Sequence, residues 1–512
     1  MALVVHNTLT KKKEPFEPLH PQVVRIYTCG LTTYAPMHIG HARTYCFWDL
    51  FRRYLEYSGY HVLSVINYTD VDDRIIARAA AQEGPVDFAE RNIATFRKDC
   101  RLLHIKDYSA YTRATDFVDE QLRMIGQLVD KGHAYVVDGE VMYEVETFAD
   151  YGKLSGNVLS EQIVGASGRV QEDSSRKRHP ADFSLWKPAE GGQPQWDVPR
   201  PEWKSGRPGW HIECSAMSTA VFGAHFDVHG GGVDNLFPHH ENEIAQSEPL
   251  CGHPWVRYWL HPEHLDLRNE KMSKSLGNVI GIPELLERHE HDVVRWFFAS
   301  QHYRSKLPFS WELLEQAAQG YARIKKLVQI LEQKLVQLTK PALPAGLYAS
   351  QRPQAERIPR FRHHYVAGKY GQAASTFLSQ FMDAMDDDIN TPRAVAALFD
   401  YVSALYAAKI EGETESEHLL PVYRCLVRHL AVLGVEIVHP DLYPELVVDY
   451  AVTPSPTAAG RGGDGVVDRL LELRKQARAN KNFAQSDAIR DLLRDAGVIL
   501  EDTPQGPRWS VG

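Results

Sequence analysis

Two short apolar runs rich in β-branched residues, Val23-Val24-Arg25-Ile26-Tyr27 and Val62-Leu63-Ser64-Val65-Ile66, flank a stretch with helical spacing from about Ala42 to Tyr57. Strand, crossover helix and strand predict a βαβ unit, and a βαβ unit commits this part of the chain to a parallel sheet. Ligands of such sheets bind beyond the carboxyl ends of the strands. The segment after Tyr27 is therefore the first place to look for a site.

The remaining pattern extends this Rossmann-like α/β domain over residues 1–130 and 205–260. Between them, residues 131–204 read as an insertion, with hairpin strands at Tyr135-Val136-Val137 and Val141-Met142-Tyr143-Glu144-Val145 around Asp138-Gly139. Parallel-type runs resume near His225-Phe226-Asp227-Val228 and Trp255-Val256-Arg257-Tyr258-Trp259. Residues 261–312 form a further short region. Across 313–450, apolar residues at Ile324, Leu327, Val328, Leu331, Leu335 and Leu338, and a helix start at Asn390-Thr391-Pro392, predict a helical bundle. The Pro/Ser/Gly-rich stretch 451–465 reads as a linker, detaching a small C-terminal domain at 466–512. Gly460, Gly462 and Gly465 match a dinucleotide fingerprint only formally, because no strand precedes them.

With 57 Lys and Arg against 66 Asp and Glu, the net charge is -9, so any nucleic-acid surface must be local. No apolar run approaches the roughly 18–20 residues of a membrane span, and the first residues are too polar for a signal peptide. A cytoplasmic protein with no membrane partner is expected. The six cysteines include no C-x-x-C pair; Cys46, Cys100, Cys251 and Cys425 read as ordinary small apolar residues.

Three segments carry chemistry. Cys29-Gly30-Leu31-Thr32-Thr33-Tyr34-Ala35-Pro36-Met37-His38-Ile39-Gly40-His41 leads from the first strand into a helix, whose unpaired N–H groups favour anions. Two imidazoles one turn apart, with Gly40 allowing close approach, suit a nucleotide; alone, the pair reads better as a polar helix start. Lys271-Met272-Ser273-Lys274-Ser275 puts two lysines and two serines on a short loop, suited to charge that develops at phosphorus. In Pro238-His239-His240-Glu241-Asn242-Glu243, a helix would set His239 and Glu243 on one face as two ligands of one metal. Cys29 and Cys214 would complete a donor set that zinc accepts.

His38-Ile39-Gly40-His41 and Lys271-Met272-Ser273-Lys274-Ser275 together resemble the signatures of class I aminoacyl-tRNA synthetases. Adding Gly209-Trp210-His211-Ile212-Glu213-Cys214, Tyr68-Thr69-Asp70-Val71-Asp72-Asp73 and His229-Gly230-Gly231-Gly232, the chain resembles the cysteinyl-tRNA synthetase family over nearly its whole length. Leu31 and Thr33 depart from it, standing where the family usually has Pro and Val. The resemblance implies that Cys29, Cys214, His239 and Glu243 hold one zinc. It also implies that His38, Gly40, His41, Lys271, Ser273 and Lys274 meet ATP, which is accompanied by Mg²⁺, with His38, His41, Lys271 and Lys274 catalytic. L-cysteine, ATP and tRNA(Cys) are the implied partners, and a monomer is expected. The insertion would meet the acceptor end, 261–312 the stem, the bundle the tRNA body, and 466–512 the anticodon through residues such as Arg508 or Trp509. Two rivals remain at this point: a related ligase joining cysteine to an amino sugar, which would end soon after the catalytic half, and a zinc-containing RNA-binding protein without catalysis.

Overall fold

The computed structural model describes residues 2–79, 83–157, 176–266, 279–339 and 368–437, the backbone of 498–503 and 506–511, and single residues at 471, 474, 475, 478 and 490. A hairpin of β1 (Val4–Asn7) and β2 (Lys12–Pro15) precedes the expected unit of β3 (Val23–Thr28), α1 (Ile39–Tyr57) and β4 (His61–Tyr68). α1 begins earlier than the apolar spacing suggested, because His38 caps it. α2 (Asp73–Ala79) and α3 (Pro85–Leu102) lead to β5 (Ala110–Arg113). α4 (Val118–Asp130) then leads into the insertion, an antiparallel sheet of β6 (Ala134–Val137), β7 (Glu140–Tyr143), β8 (Phe183–Pro188) and β9 (Gly206–Pro208). Asp138 and Gly139 form its first turn, both at positive φ, as that dipeptide favours. The sheet ends at Pro208, past the boundary expected at 204, because β9 pairs with β8 rather than with the parallel sheet.

The chain returns through α5 (Trp210–Phe222), β10 (Phe226–Gly230), α6 (Glu241–Cys251) and β11 (Val256–Leu260). The parallel sheet has the order β11-β10-β3-β4-β5. All six residues of β3 are buried, as expected for a central strand covered on both faces. Successive strands are added on one side of β3 as far as β5 and then on the other, starting with β10. The topological switch point thus lies between β3 and β10, where a crevice opens at the carboxyl ends.

β12 (Leu265–Asp266), α7 (Ile282–Arg288), α8 (His291–Ala299) and β13 (Leu307–Pro308) follow, with β12 and β13 paired in parallel. The bundle comprises α9 (Trp311–Thr339), α10 (Gly371–Met385), α11 (Thr391–Ala407) and α12 (Ser416–Val432). Ile324, Leu327, Val328, Leu331 and Leu335 are buried; Leu338, placed in the same stripe from sequence, is exposed, because the last turn of α9 extends past the packed layer. Asn390 caps α11 through the Arg393 N–H. Just before it, Asp388 and Ile389 lie at φ 60 and φ 52, a left-handed pair costing roughly 1–2 kcal/mol per residue. The chain ends in the hairpin of β14 (Val498–Thr503) and β15 (Gly506–Val511). The linker 451–465 lies outside the described residues, as do the side chains of Arg508 and Trp509. Among the described residues, no helix is long and apolar enough to cross a membrane.

Candidate metal centre and active site

Cys29 directly follows β3, and its N–H donates to the carbonyl of Gly230 at the end of β10 at 2.8 Å, so its thiol stands in the switch-point crevice. The next residues are tied to the end of β4. Gly30 N–H donates to Asn67 Oδ1 at 2.8 Å, and the Thr33 N–H and hydroxyl donate to the Thr69 carbonyl at 3.1 and 3.2 Å. The departures at Leu31 and Thr33 therefore leave a fixed backbone path.

Cys29, Cys214, His239 and Glu243 converge there, all buried, each offering a ligand atom within 4.8 Å of the others. Cys214 comes from the second turn of α5 and Glu243 from the first turn of α6. His239 comes from the turn just before α6, yet keeps its four-residue relation to Glu243, with Nε2 at 2.9 Å from Oε1. The two sulfurs lie 3.8 Å apart, and Cys29 Sγ is 3.7 Å from Glu243 Oε1.

Cys29, His229, His240 and Glu243 also cluster within the same span. The two imidazoles of this set are better placed as supports than as ligands. His229 Nδ1 meets the Tyr27 carbonyl at 2.8 Å and Nε2 meets Glu243 Oε2 at 2.7 Å, so both ring nitrogens already face oxygens. By holding Oε2, His229 turns Oε1 toward the sulfurs. His240 Nε2 lies 3.2 Å from Cys29 Sγ, and its Nδ1 lies 2.7 Å from His261 Nε2, whose other nitrogen reaches Thr8 Oγ1 at 2.9 Å. His211 Nδ1 meets Nδ1 of His239 at 3.0 Å, while Trp210 stacks on His239 at 4.3 Å. Such outer partners orient ligands and fix their tautomers. Sequence reasoning missed the roles of His211, His229, His240 and His261, although all but His261 stand in segments it had singled out.

The electrostatics suit a cation. Burial alone would push the Glu243 carboxyl up, but the rings of His229 and His239 outweigh it and bring it to about 2. Burial would likewise lower His239; the charges of Glu243 and Cys214 win, raising it to about 9. Burial opposes ionisation of Cys214 too, but hydrogen bonds from Cys29 and His239 bring it down to about 7. Burial and the neighbouring imidazoles of His261 and His229 hold His240 well below the ordinary histidine range. Glu243 and Cys214 are thus shifted toward their anionic forms, whereas burial and the neighbouring Cys214 push the Cys29 thiol well up. Two sulfurs, one imidazole and one carboxylate oxygen match the ligands zinc takes.

The residues singled out for the nucleotide stand at the start of α1. His38 Nδ1 accepts from the N–H groups of Gly40 and His41 at 3.2 and 3.4 Å, and His41 Nδ1 accepts from the His38 N–H at 3.4 Å. With Nδ1 accepting in both rings, which stack at 3.6 Å, the ring proton of each sits on Nε2. Lys271, Ser273 and Lys274 lie outside the described residues, but both flanks of their segment touch this turn. Arg43 donates to the His264 carbonyl on one side, and the Ile39 N–H donates to the Ile280 carbonyl at 3.0 Å on the other.

A parallel sheet with this switch point, a histidine-capped helix beside it and an inserted antiparallel sheet define a class I aminoacyl-tRNA synthetase. The model of the tRNA synthetases class I (C) catalytic domain matches residues 15–319, and that of the DALR domain matches residues 380–437. Among solved structures, a LeuRS from Agrobacterium radiobacter K84 in a ternary complex with tRNA and LeuAMS superposes with a TM-score of 0.59 at 13% identity, covering 84% of this chain and 85% of the other. The methionyl-tRNA synthetase of Mycobacterium tuberculosis superposes with a TM-score of 0.52 at 15% identity, covering 81% and 90%. These two show the fold. The curated cysteine–tRNA ligases of Symbiobacterium thermophilum and Thermococcus onnurineus are 42% and 41% identical, each over 99% of both chains. The chain belongs to the cysteine–tRNA ligase family.

Proposed function

We propose that the chain joins ATP and L-cysteine into cysteinyl-adenylate, releasing pyrophosphate, and then transfers cysteine to the terminal adenosine of tRNA(Cys). The convergence of Cys29, Cys214, His239 and Glu243 in the switch-point crevice carries this reading. The substrate carboxylate attacks the α-phosphorus, so no protein nucleophile is needed and the residues act by positioning and charge stabilisation. The Nε2–H groups of His38 and His41 donate to phosphate oxygens, Gly40 leaves the backbone open to them, and the start of α1 adds its N–H groups. Lys271 and Lys274, with Ser273, stabilise the charge of the pentacoordinate transition state, and Mg²⁺ accompanies ATP.

Serine is the competitor to be refused, and shape alone separates such near-isosteres by only about 10²-fold. Cys29, Cys214, His239 and Glu243 would hold zinc, which would supply a Lewis acid with a preference for a thiolate over an alcohol. His229 and His211 keep the carboxylate and imidazole aimed, and burial keeps water out. The same reading has the enzyme acting as a monomer in the cytoplasm.

Metal analysis of the purified protein tests it. One zinc per chain is expected, with Cys214→Ser and His239→Ala losing both metal and cysteine activation and gaining little activation of serine. Full zinc and full activity in either variant would remove the assignment. The relatives' match over the whole length speaks against the amino-sugar ligase.

A further inference from the structure

The turn between α10 and α11 lies far along the chain from the reaction centre, yet it reaches the helix that begins with His38 and His41. Asp386 Oδ1 accepts from the Tyr54 hydroxyl of α1 at 2.7 Å. Asp388, fully buried, makes more bonds. Its Oδ1 accepts from the Tyr303 hydroxyl at 2.7 Å and the His6 N–H at 2.8 Å, and its Oδ2 accepts from Arg304 Nε at 2.8 Å. Its carbonyl faces His302 Nε2 at 3.1 Å.

Segment 302–305 in turn grips α1. The Tyr303 ring stacks on Phe47 at 4.3 Å. Arg43, one turn nearer the start of the helix, donates to the carbonyls of Ser305, His302 and His264. Arg43, Phe47 and Tyr54 are spaced by four and seven residues, so a single face of α1 meets this assembly. Arg43 is buried, and its hydrogen bonds go to neutral carbonyls; burial pulls it down to about 10. The grip therefore depends on those carbonyls staying in place. At the turn itself, Asp388 and Ile389 are both left-handed, and an isoleucine persists there only where its surroundings over-determine the backbone.

We propose that Asp388 is a positioning residue for adenylate formation: it fixes segment 302–305, whose carbonyls and Tyr303 ring set α1 along its axis and so place His38 and His41 against the nucleotide. The inference rests on the proposed role of that helix start. Its physical content is that the turn between α10 and α11 holds the activating half in register through buried carboxylates, with Asp388 the one that fixes segment 302–305. Displacement of about 1 Å at a reacting group costs roughly 10²-fold in rate.

The test is cysteine-dependent ATP–pyrophosphate exchange by the full zinc-loaded chain, normalised to titrated active sites. Asp388→Asn keeps the shape but loses the charge that Arg304 and Tyr303 meet. Its kcat should fall about tenfold or more, with KM for cysteine and zinc content unchanged. Tyr303→Phe, which keeps the stack on Phe47 and loses only the hydroxyl, should show the same pattern more weakly and serves if Asp388→Asn does not fold. Because both residues act on one element, Asp388→Asn combined with Arg43→Lys should lose little more than the worse single variant. Exchange per active site that is unchanged despite a lowered Tm, or losses in kcat that multiply in the double variant, would overturn the proposal. A His41→Ala variant with full exchange would instead remove the underlying reading, so the two failures are separable.

Discussion

Gly30 has no room for a side chain: a Cβ there would stand 1.7 Å from the Asn67 carbonyl oxygen, which belongs to the neighbouring strand and cannot swing away. An alanine must push the end of β3 off β4, and Cys29 moves with it. Gly30→Ala is therefore expected to lose bound zinc and cysteine activation together, through displacement of a ligand it does not itself supply. Metal content and exchange equal to those of the unaltered protein would contradict this. The same neighbourhood shows what single residues reveal. Cys29, Cys214, His239 and Glu243 were legible because their types and motif context limit them to a few roles. His240 was visible as half of a His-His pair, but its partner His261, and Thr8 to which His261 is tied in turn, come from opposite ends of the catalytic domain. Neighbours so remote leave no spacing to read.

At the scale of the element, α1 is the hub, since it carries His38 and His41 at its start and a buried ion network further on. Asp49 Oδ2 accepts from Arg53 Nε at 2.7 Å and from an Arg295 guanidinium nitrogen at 2.5 Å, and Oδ1 accepts from the Lys106 N–H at 2.9 Å. Burial alone would push this carboxyl up, but Arg53 and Arg295 outweigh it and hold it well below the ordinary range. The unfolded chain, with Asp near about 3.9, then takes up this proton first as pH falls. The stabilisation is complete above that value and fades below it. Asp49→Asn leaves the buried Arg295 guanidinium without its anion and Arg53 with Glu436 in its place, a loss of about 3–5 kcal/mol for a broken buried pair. Thermal unfolding should show a large gap between variant and unaltered protein near neutral pH that narrows below about pH 4. A gap that does not change with pH would show that Asp49 acts by shape alone. The unit β3-α1-β4 was legible because its apolar runs are long enough to show a period. The hairpin β1–β2 and the pair β12–β13 were not, since strands of four and two residues carry too little alternation to be told from loop.

Across the whole molecule, the proposed reading gives the tail the anticodon and leaves activation to the catalytic half. The segment from Val466 to Gly512 carries 8 Lys or Arg against 7 Asp or Glu in a chain of net charge -9. Leu471 belongs to the same buried cluster as Cys29 and Cys214, as its apolar side suggested. Arg474, expected from sequence among the outward cations, is buried instead, while Lys475 and Arg478 are exposed. Val467, Leu470, Leu473 and Lys481 lie outside the described residues. Truncation before Val466 should leave cysteine-dependent exchange nearly intact and sharply reduce tRNA charging, with the loss in tRNA affinity and anticodon discrimination. A truncated chain that charges tRNA as well as the full one would exclude the tail as anticodon reader. The central claim, that this crevice activates cysteine and refuses serine, is tested most directly by ATP–pyrophosphate exchange with each amino acid on the full zinc-loaded chain. Exchange should require cysteine, with serine poorer in kcat/KM by well beyond the roughly 10²-fold that shape alone supplies; a preference of only about 10²-fold or less, or no exchange with cysteine, would contradict it.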